Sequence, residues 1–79
     1  MVKIRLSRHG SRKKPFYRIV VTDSRSARNG RFIEKIGFFN PIGYLKNEKF
    51  KINFNKVEYW KKIGAKISPR VQYLIKTYQ

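Results

Sequence analysis

The chain has 79 residues, of which 20 are Lys or Arg and four are Asp or Glu, giving a formal net charge of +16. Its length predicts one small domain, and the lack of cysteine excludes disulfides and thiolate metal sites. The 41% hydrophobic content excludes a disordered basic tail, and the longest aliphatic run, Ile19-Val20-Val21, is too short for a signal peptide or a membrane span. A folded core with this much positive charge predicts a nucleic acid partner, because a polyanion relieves the self-repulsion.

Two stretches near the N-terminus predict strands with a shared basic outer face. Residues 2–7 alternate between apolar and polar side chains, and residues 16–22 are rich in β-branched and aromatic side chains. The cations predicted to lie opposite the core are Lys3, Arg5 and Arg18. This outer face is therefore a candidate surface for contacts with a phosphate backbone.

A basic loop is predicted between these two strands, over residues 9–15. Gly10 permits a sharp turn there, and Pro15 favours an extended conformation of the residue before it. His9, the only histidine, is expected either to touch a phosphate or to face water. The cations of this loop and its approach are Arg8, Arg12, Lys13 and Lys14.

A second basic loop follows the second strand and holds Arg25, Arg28 and Arg31. The turn pair Asn29-Gly30 closes it, and predicted strands anchor it at both ends. Guanidinium groups make planar, forked hydrogen bonds to phosphate that a lysine ammonium group does not match. Taken alone, the loop is better explained as a solvated basic surface, and it is the charge of the whole chain that favours phosphate binding.

A third strand is predicted over residues 32–39, but its apolar residues do not keep to one parity, so its inner face stays open. Gly37 is expected at a bulge that switches faces. Residues 40–43 predict a turn that ends this strand. Residues 50–54 alternate again, which predicts a short fourth strand.

A first helix is predicted over residues 56–63, because Asn55 and Glu58 resemble a capping box. Gly64 is expected to end the helix as a left-handed cap. Trp60 lies on the apolar stripe of this helix and is expected in the core, with stacking on RNA bases as the alternative. The full stripe comprises Val57, Trp60 and Ile63.

Ser68 and Pro69 predict the start of a second helix, as cap and first helical residue. Its apolar side chains recur at helical spacing and are expected to face inward: Val71, Leu74, Ile75 and Tyr78. Strands first and helices last predict an α+β fold. We expect a small single domain over residues 1–79, in which a mixed sheet of four to five strands carries two C-terminal helices.

Catalytic and metal-binding interpretations are not favoured. The acidic residues Asp23, Glu34, Glu48 and Glu58 lie ten or more residues apart, and one histidine excludes an acid–base pair of two imidazoles. We therefore predict no enzymatic activity, no metal and no cofactor. The sequence also lacks the aromatic motif of common RNA-binding sheets, so we expect recognition of RNA backbone and shape.

Three blocks of the sequence resemble the bacterial-type small-subunit ribosomal protein family number sixteen. Together they cover almost the whole chain, and residues 44–51 are the least distinctive part. The blocks are Arg8-His9-Gly10 with Lys13-Lys14-Pro15-Phe16-Tyr17-Arg18, then Arg28-Asn29-Gly30-Arg31-Phe32-Ile33-Glu34 with Asn40-Pro41, and finally Trp60, Gly64-Ala65, Ser68, Val71 and Leu74.

The resemblance implies a structural constituent of the small ribosomal subunit, which binds the 5′ region of the small-subunit ribosomal RNA and stabilises its folding during assembly. Neighbouring small-subunit proteins are implied as further partners, with no membrane and no small-molecule substrate. The implied location is the ribosome of a bacterial cytoplasm, or of an organelle stroma or matrix. The alternative is a free-standing nucleic-acid-binding regulator outside the ribosome. By match to the motif, the resemblance implies RNA contacts at Arg12, Lys13, Lys14, Arg25, Arg28 and Arg31. The basic strand face and the approach to the first loop add Lys3, Arg5, Arg8 and Arg18 as predicted contacts.

Overall fold

The computed structural model describes residues 1–10, 12–23, 32–43 and 49–78. Its strands form one five-stranded sheet in the order β4-β3-β2-β1-β5. Neighbouring strands are antiparallel except that β5 runs parallel to β1, so the sheet is mixed and the predicted α+β fold is confirmed. Along the described chain the elements are β1 (Val2–Gly10), β2 (Pro15–Asp23), β3 (Glu34–Phe39), β4 (Phe50–Ile52), α1 (Phe54–Lys62), β5 (Lys66–Ile67) and α2 (Pro69–Tyr78).

The hairpin of β1 and β2 is longer than the sequence predicted. The predicted loop over residues 9–15 is wrong at both ends, because His9 pairs with Phe16 and Gly10 pairs with Pro15. Gly10 has φ +83, and a Cβ there would meet a backbone carbonyl of the turn, so the turn requires glycine. The end of β1 could not be recognised from the sequence, because the alternation of apolar and polar residues stops before the strand ends. The backbone hydrogen bonds to β2 do not depend on that alternation and continue to Gly10.

The predicted bulge near Gly37 is present in β3. Ile19 of β2 pairs with Gly37, whereas the next residue, Val20, pairs with Lys35, which leaves Ile36 as the extra residue. Ile36 is buried and belongs to the core cluster. The bulge therefore settles which side of this strand faces inward, which the sequence alone left open.

Two strand boundaries differ from the prediction. β3 begins two residues later than predicted, and the preceding Phe32 and Ile33 are 41% and 53% exposed. β5 was not predicted, and it consists only of Lys66 and Ile67 paired with β1. Two residues carry too little periodicity for a strand to be recognised from sequence.

α1 begins at Phe54 with Asn53 as its N-terminal cap, so the predicted cap at Asn55 is wrong. Oδ1 of Asn53 accepts a hydrogen bond from the backbone N–H of Lys56 at 3.2 Å, which satisfies one of the free donors of the first turn. Gly64 has φ +98 just beyond the helix, which confirms the predicted left-handed cap.

The inward stripe is confirmed for α2 and only partly for α1. Oγ of Ser68 accepts a hydrogen bond from the N–H of Val71 at 3.2 Å, as predicted for the start of α2. In α1, Val57 is buried and Trp60 is partly buried, but Ile63 is 60% exposed and does not belong to the stripe. The predicted inward side chains of α2 are all buried or partly buried: Val71, Leu74, Ile75 and Tyr78.

Both helices pack on one face of the sheet, and the core lies between the helices and the sheet. The buried cluster comprises Ile4, Ile19, Val21, Ile36, Phe39, Phe50, Ile52, Val57, Ala65, Val71 and Leu74. The opposite face is not covered by either described helix, and we call it the helix-free face. Its side chains alternate along the strands with those of the core: Lys3, Arg5, Ser7, His9, Phe16, Arg18, Val20, Thr22, Lys35, Phe38 and Lys51.

Candidate nucleic-acid interface

Cross-strand pairing gathers cations from four strands on the helix-free face. Arg18 of β2 pairs with Phe38 of β3, which in turn pairs with Lys51 of β4. Arg5 of β1 and Lys35 of β3 flank a single β2 residue from its two sides. We call this cluster the basic face, and it comprises Lys3, Arg5, Arg18, Lys35 and Lys51.

The basic face combines exposed charge with a buried floor. Its three lysines are exposed and its two arginines are half-buried, whereas Val20 and Thr22 between them are each 1% exposed. Long basic side chains can lie along a sheet with their stems while their charged ends reach water. Four strands span about 14 Å at the usual strand spacing, so the face can meet several phosphates at once.

The turn between β1 and β2 presents a second group of predicted cations, and we call it the hairpin tip. Arg12, Lys13 and Lys14 are all exposed there, beyond the end of the basic face. Arg8 was predicted with them, but it pairs with Tyr17 on the helix side of the sheet. Nη1 of Arg8 donates a hydrogen bond to the Tyr17 hydroxyl at 3.4 Å, so its guanidinium group is directed away from the basic face.

Three predicted contacts cannot be placed, and two cations were missed. The loop cations Arg25, Arg28 and Arg31 lie outside the described residues, so their role stays a prediction. Lys35 and Lys51 belong to the basic face although neither was predicted as a contact. The bulge in β3 concealed the orientation of Lys35, whereas the alternation of Lys51 with two buried β4 residues was a usable signal.

The described carboxylates lie away from the basic face. Oε1 of Glu34 is 2.9 Å from Nζ of Lys56, and its Oε2 accepts a hydrogen bond from Nε1 of Trp60 at 3.0 Å. These two contacts, that of Lys56 first, hold the pKa of Glu34 below its usual range. Glu58 lies on α1, and Asp23 shares the strand parity of the core. The described carboxylates therefore lie on the helix side of the sheet, and none of them belongs to the basic face.

Other kinds of site find little support in the described part of the chain. Within the ranges given above, no three His, Asp or Glu side chains are grouped to hold a metal ion. Neither described helix has the length and apolar character that a membrane crossing needs. Trp60 packs against the core and its N–H is bonded to Glu34, which supports its interpretation as a core anchor rather than a stacking surface.

Comparison with known proteins identifies a family. The family model described as Ribosomal protein S16 matches residues 8–68. The small ribosomal subunit protein bS16 of Hamiltonella defensa subsp. Acyrthosiphon pisum (strain 5AT) is 60% identical over 76 residues, which cover 96% of this chain and 88% of that protein. The bS16 protein of Erwinia tasmaniensis is 57% identical over 76 residues, which cover 96% of this chain and 93% of that protein. The family model spans β2, the bulged strand β3 and α1, and on these grounds the chain belongs to the ribosomal protein S16 family.

Proposed function

We propose that the chain is a structural constituent of the small ribosomal subunit, and that it binds the 5′ region of the small-subunit RNA and stabilises its folding during assembly. Family membership and the names of the relatives support the first part. The observation that carries the second part is a face of the sheet on which cations cluster without any described carboxylate. Five cations share one face of the sheet, while the described carboxylates lie elsewhere.

The basic face and the hairpin tip suit contacts with phosphates better than contacts with base edges. Arg5 and Arg18 supply guanidinium forks, and the lysines supply mobile point charges. A broad surface of this kind fits the backbone of folded A-form RNA, whose deep and narrow major groove resists side-chain readout. The proposed RNA contacts on these two surfaces are Lys3, Arg5, Arg12, Lys13, Lys14, Arg18, Lys35 and Lys51. Contacts at Arg8, Arg25, Arg28 and Arg31 stay predictions from the sequence.

The proposal places the whole chain, residues 1–79, in the ribosome as one RNA-binding domain beside neighbouring small-subunit proteins. No enzymatic activity is proposed, and membership in a ribosomal protein family supports that prediction. The net charge of +16 on a chain of this size would be screened there by the surrounding RNA.

Sedimentation of small subunits through washes of rising salt concentration tests the ribosomal role. The chain should stay with the subunits in high salt, whereas a free-standing regulator would be released. Titrations of the purified chain with a 5′-region transcript test the electrostatic contact. If six phosphates are neutralised, the log-log slope of affinity against salt should be about −4 to −5. An affinity that does not change with salt would contradict binding through the basic face.

A further inference from the structure

The helix-free face also carries two aromatic side chains, Phe16 and Phe38. Their rings are stacked, with centroids 5.8 Å apart and an interplanar angle of 18°. Both side chains are only half-buried, whereas Phe39 and Phe50, which lie in the core, are each 7% exposed. The basic face therefore adjoins aromatic surface that the core does not use.

A cavity of about 380 Å³ lies beside Phe38. Two lysines of the basic face, Lys35 and Lys51, line it together with Gly37 at the β3 bulge. Small-molecule sites in proteins have volumes of about 300–1,000 Å³, so this cavity is large enough for a single flat aromatic group. A ring for stacking and two cations are thus held at one concave place.

We propose that this cavity receives one unpaired nucleobase of the bound RNA, stacked on the ring of Phe38. The inference rests on the proposed RNA-binding function and specifies what that surface recognises. Aromatic side chains bind bases of any type by stacking, because every base has a π face. An A-form duplex keeps its bases stacked inside the helix, so the recognised nucleotide is a bulged or junction nucleotide.

The cations around Phe38 complete the site for a nucleotide. Lys35 and Lys51 line the cavity itself, where their ammonium groups can contact the phosphates on either side of the base. Arg18 is the cross-strand partner of Phe38 on β2, so its guanidinium group extends the same cationic row. A base enters the site together with its two flanking phosphates. The base stacks on the ring of Phe38, and the phosphates contact the cations.

The charge of this cavity favours RNA over a protein segment as the occupant. Its ionisable lining residues are the two lysines, and none of the described carboxylates lines it. A second groove, of about 300 Å³ between α1 and α2, has a different character because Glu58 lines it beside two lysines. That groove contains an exposed phenylalanine, Phe54, which provides a matched control on the helix side.

Binding of the full chain to a transcript of the 5′ domain of small-subunit ribosomal RNA tests the inference. Phe38→Leu keeps an apolar side chain but removes the ring, and it should weaken binding about 5- to 150-fold, the range for one stacked base. Phe38→Tyr retains the ring and should bind like the unmodified chain, as should Phe54→Leu. The salt slope of Phe38→Leu should be unchanged, because no phosphate contact is lost. Thermal melting of each variant verifies that it is folded.

A second measurement identifies the occupant directly. With Phe38 replaced by azidophenylalanine in assembled small subunits, a photo-cross-link to a nucleotide supports the inference, and a cross-link to a protein overturns it. Equal affinity of folded Phe38→Leu and the unmodified chain also overturns the stacked base but leaves the proposed function intact. If the unmodified chain does not bind the transcript, the proposed function and this inference are both wrong.

Discussion

The two faces of the sheet differ in what covers them and in the side chains they carry. On the helix side, Ile4, Ile19 and Val21 are fully buried in the core cluster beneath α1 and α2. On the helix-free side, Arg5 and Arg18 alternate with these residues along the same two strands. Successive residues of a strand point to opposite faces of the sheet. Along β1 and β2, residues that stabilise the core therefore alternate with residues proposed to bind RNA. Substitutions on the two faces should therefore have separable effects.

The largest effect is expected in the core. Leu74 of α2 is 2% exposed and belongs to the buried cluster, so Leu74→Ala should lower the free energy of unfolding by about 2–5 kcal/mol. A domain of this size has a total stability of about 5–15 kcal/mol at most, so the variant should be close to unfolding. Urea denaturation followed by circular dichroism measures the change.

Tyr73 provides the control for this experiment because it lies next to Leu74 on the same helix. Its side chain is 63% exposed, so Tyr73→Ala should change the free energy of unfolding by no more than about 0.5 kcal/mol. Alanine favours helix formation at either position, so similar losses in both variants would contradict the assignment of Leu74, and not Tyr73, to the core.

Substitutions on the helix-free face should weaken RNA binding while leaving the stability of the free protein nearly unchanged. Arg18→Ala removes a guanidinium group from the middle of the basic face, and it should weaken RNA binding by about 1.5–3 kcal/mol, the range for hydrogen bonds to charged groups. The log-log salt slope should become shallower by about one phosphate contact. The melting temperature of the free protein should change little, because no core side chain is altered.

Arg70 is the matched control, since it is an exposed arginine at the start of α2 on the helix side. Arg70→Ala removes the same charge and should reduce affinity much less than Arg18→Ala. Equal losses would mean that the chain attracts RNA only through its net charge, and the distinction between the two faces would be wrong for binding.

A smaller loss of stability is expected at Glu34, through which polar contacts join β3 to α1. Trp60→Phe keeps the aromatic packing but removes the N–H that donates to Glu34, so it should cost about 1–2 kcal/mol of unfolding free energy. Tyr59→Phe, on the adjacent exposed side chain, should be nearly neutral. Weaker RNA binding by folded Trp60→Phe with unchanged stability would show instead that Trp60 belongs to the RNA interface.

The features that were predicted correctly are determined by residues close to them in the sequence. The start of α2 is determined by the side chain of Ser68 and the ring of Pro69, and both act on the adjacent backbone. Gly64 marked the end of α1 for the same reason, since its positive φ favours glycine. The basic outer face of β1 was visible because Lys3 and Arg5 alternate with apolar residues.

The parts that were missed depend on tertiary pairing. Asn53 and Asn55 are both capable caps, and the end of β4 at the sheet determines which of them starts α1. The inner face of β3 depends on the bulge opposite β2, which no periodicity within β3 reveals. The same bulge orients Lys35, so the composition of the basic face could not be completed from the sequence.

The smallest effect is a pH dependence that belongs to the helix side alone. Lys56 and Trp60 lower the pKa of Glu34 in the folded protein relative to its ordinary value of 4.5. A carboxyl group with a lowered folded pKa contributes stability that is fully present above its unfolded pKa. That contribution is lost as the pH falls through the folded pKa. The unfolding free energy should therefore decline below about pH 4.5.

Glu34→Gln isolates this contribution, because it removes the titrating group while keeping the size of the side chain. The difference in unfolding free energy between the unmodified chain and Glu34→Gln should be largest above pH 4.5 and shrink at lower pH. It should be smaller than the effect of Trp60→Phe, since the side chains of Lys56 and Glu34 are 49% and 29% exposed and solvent screens the pair. Glu58→Gln removes one negative charge from α1 and leaves Glu34 of β3 in place. The decline of the unfolding free energy at low pH should therefore persist in that variant. If RNA affinity measured at neutral pH also falls in Glu34→Gln, the two faces are coupled through β3, and stability and binding are not separable at this strand.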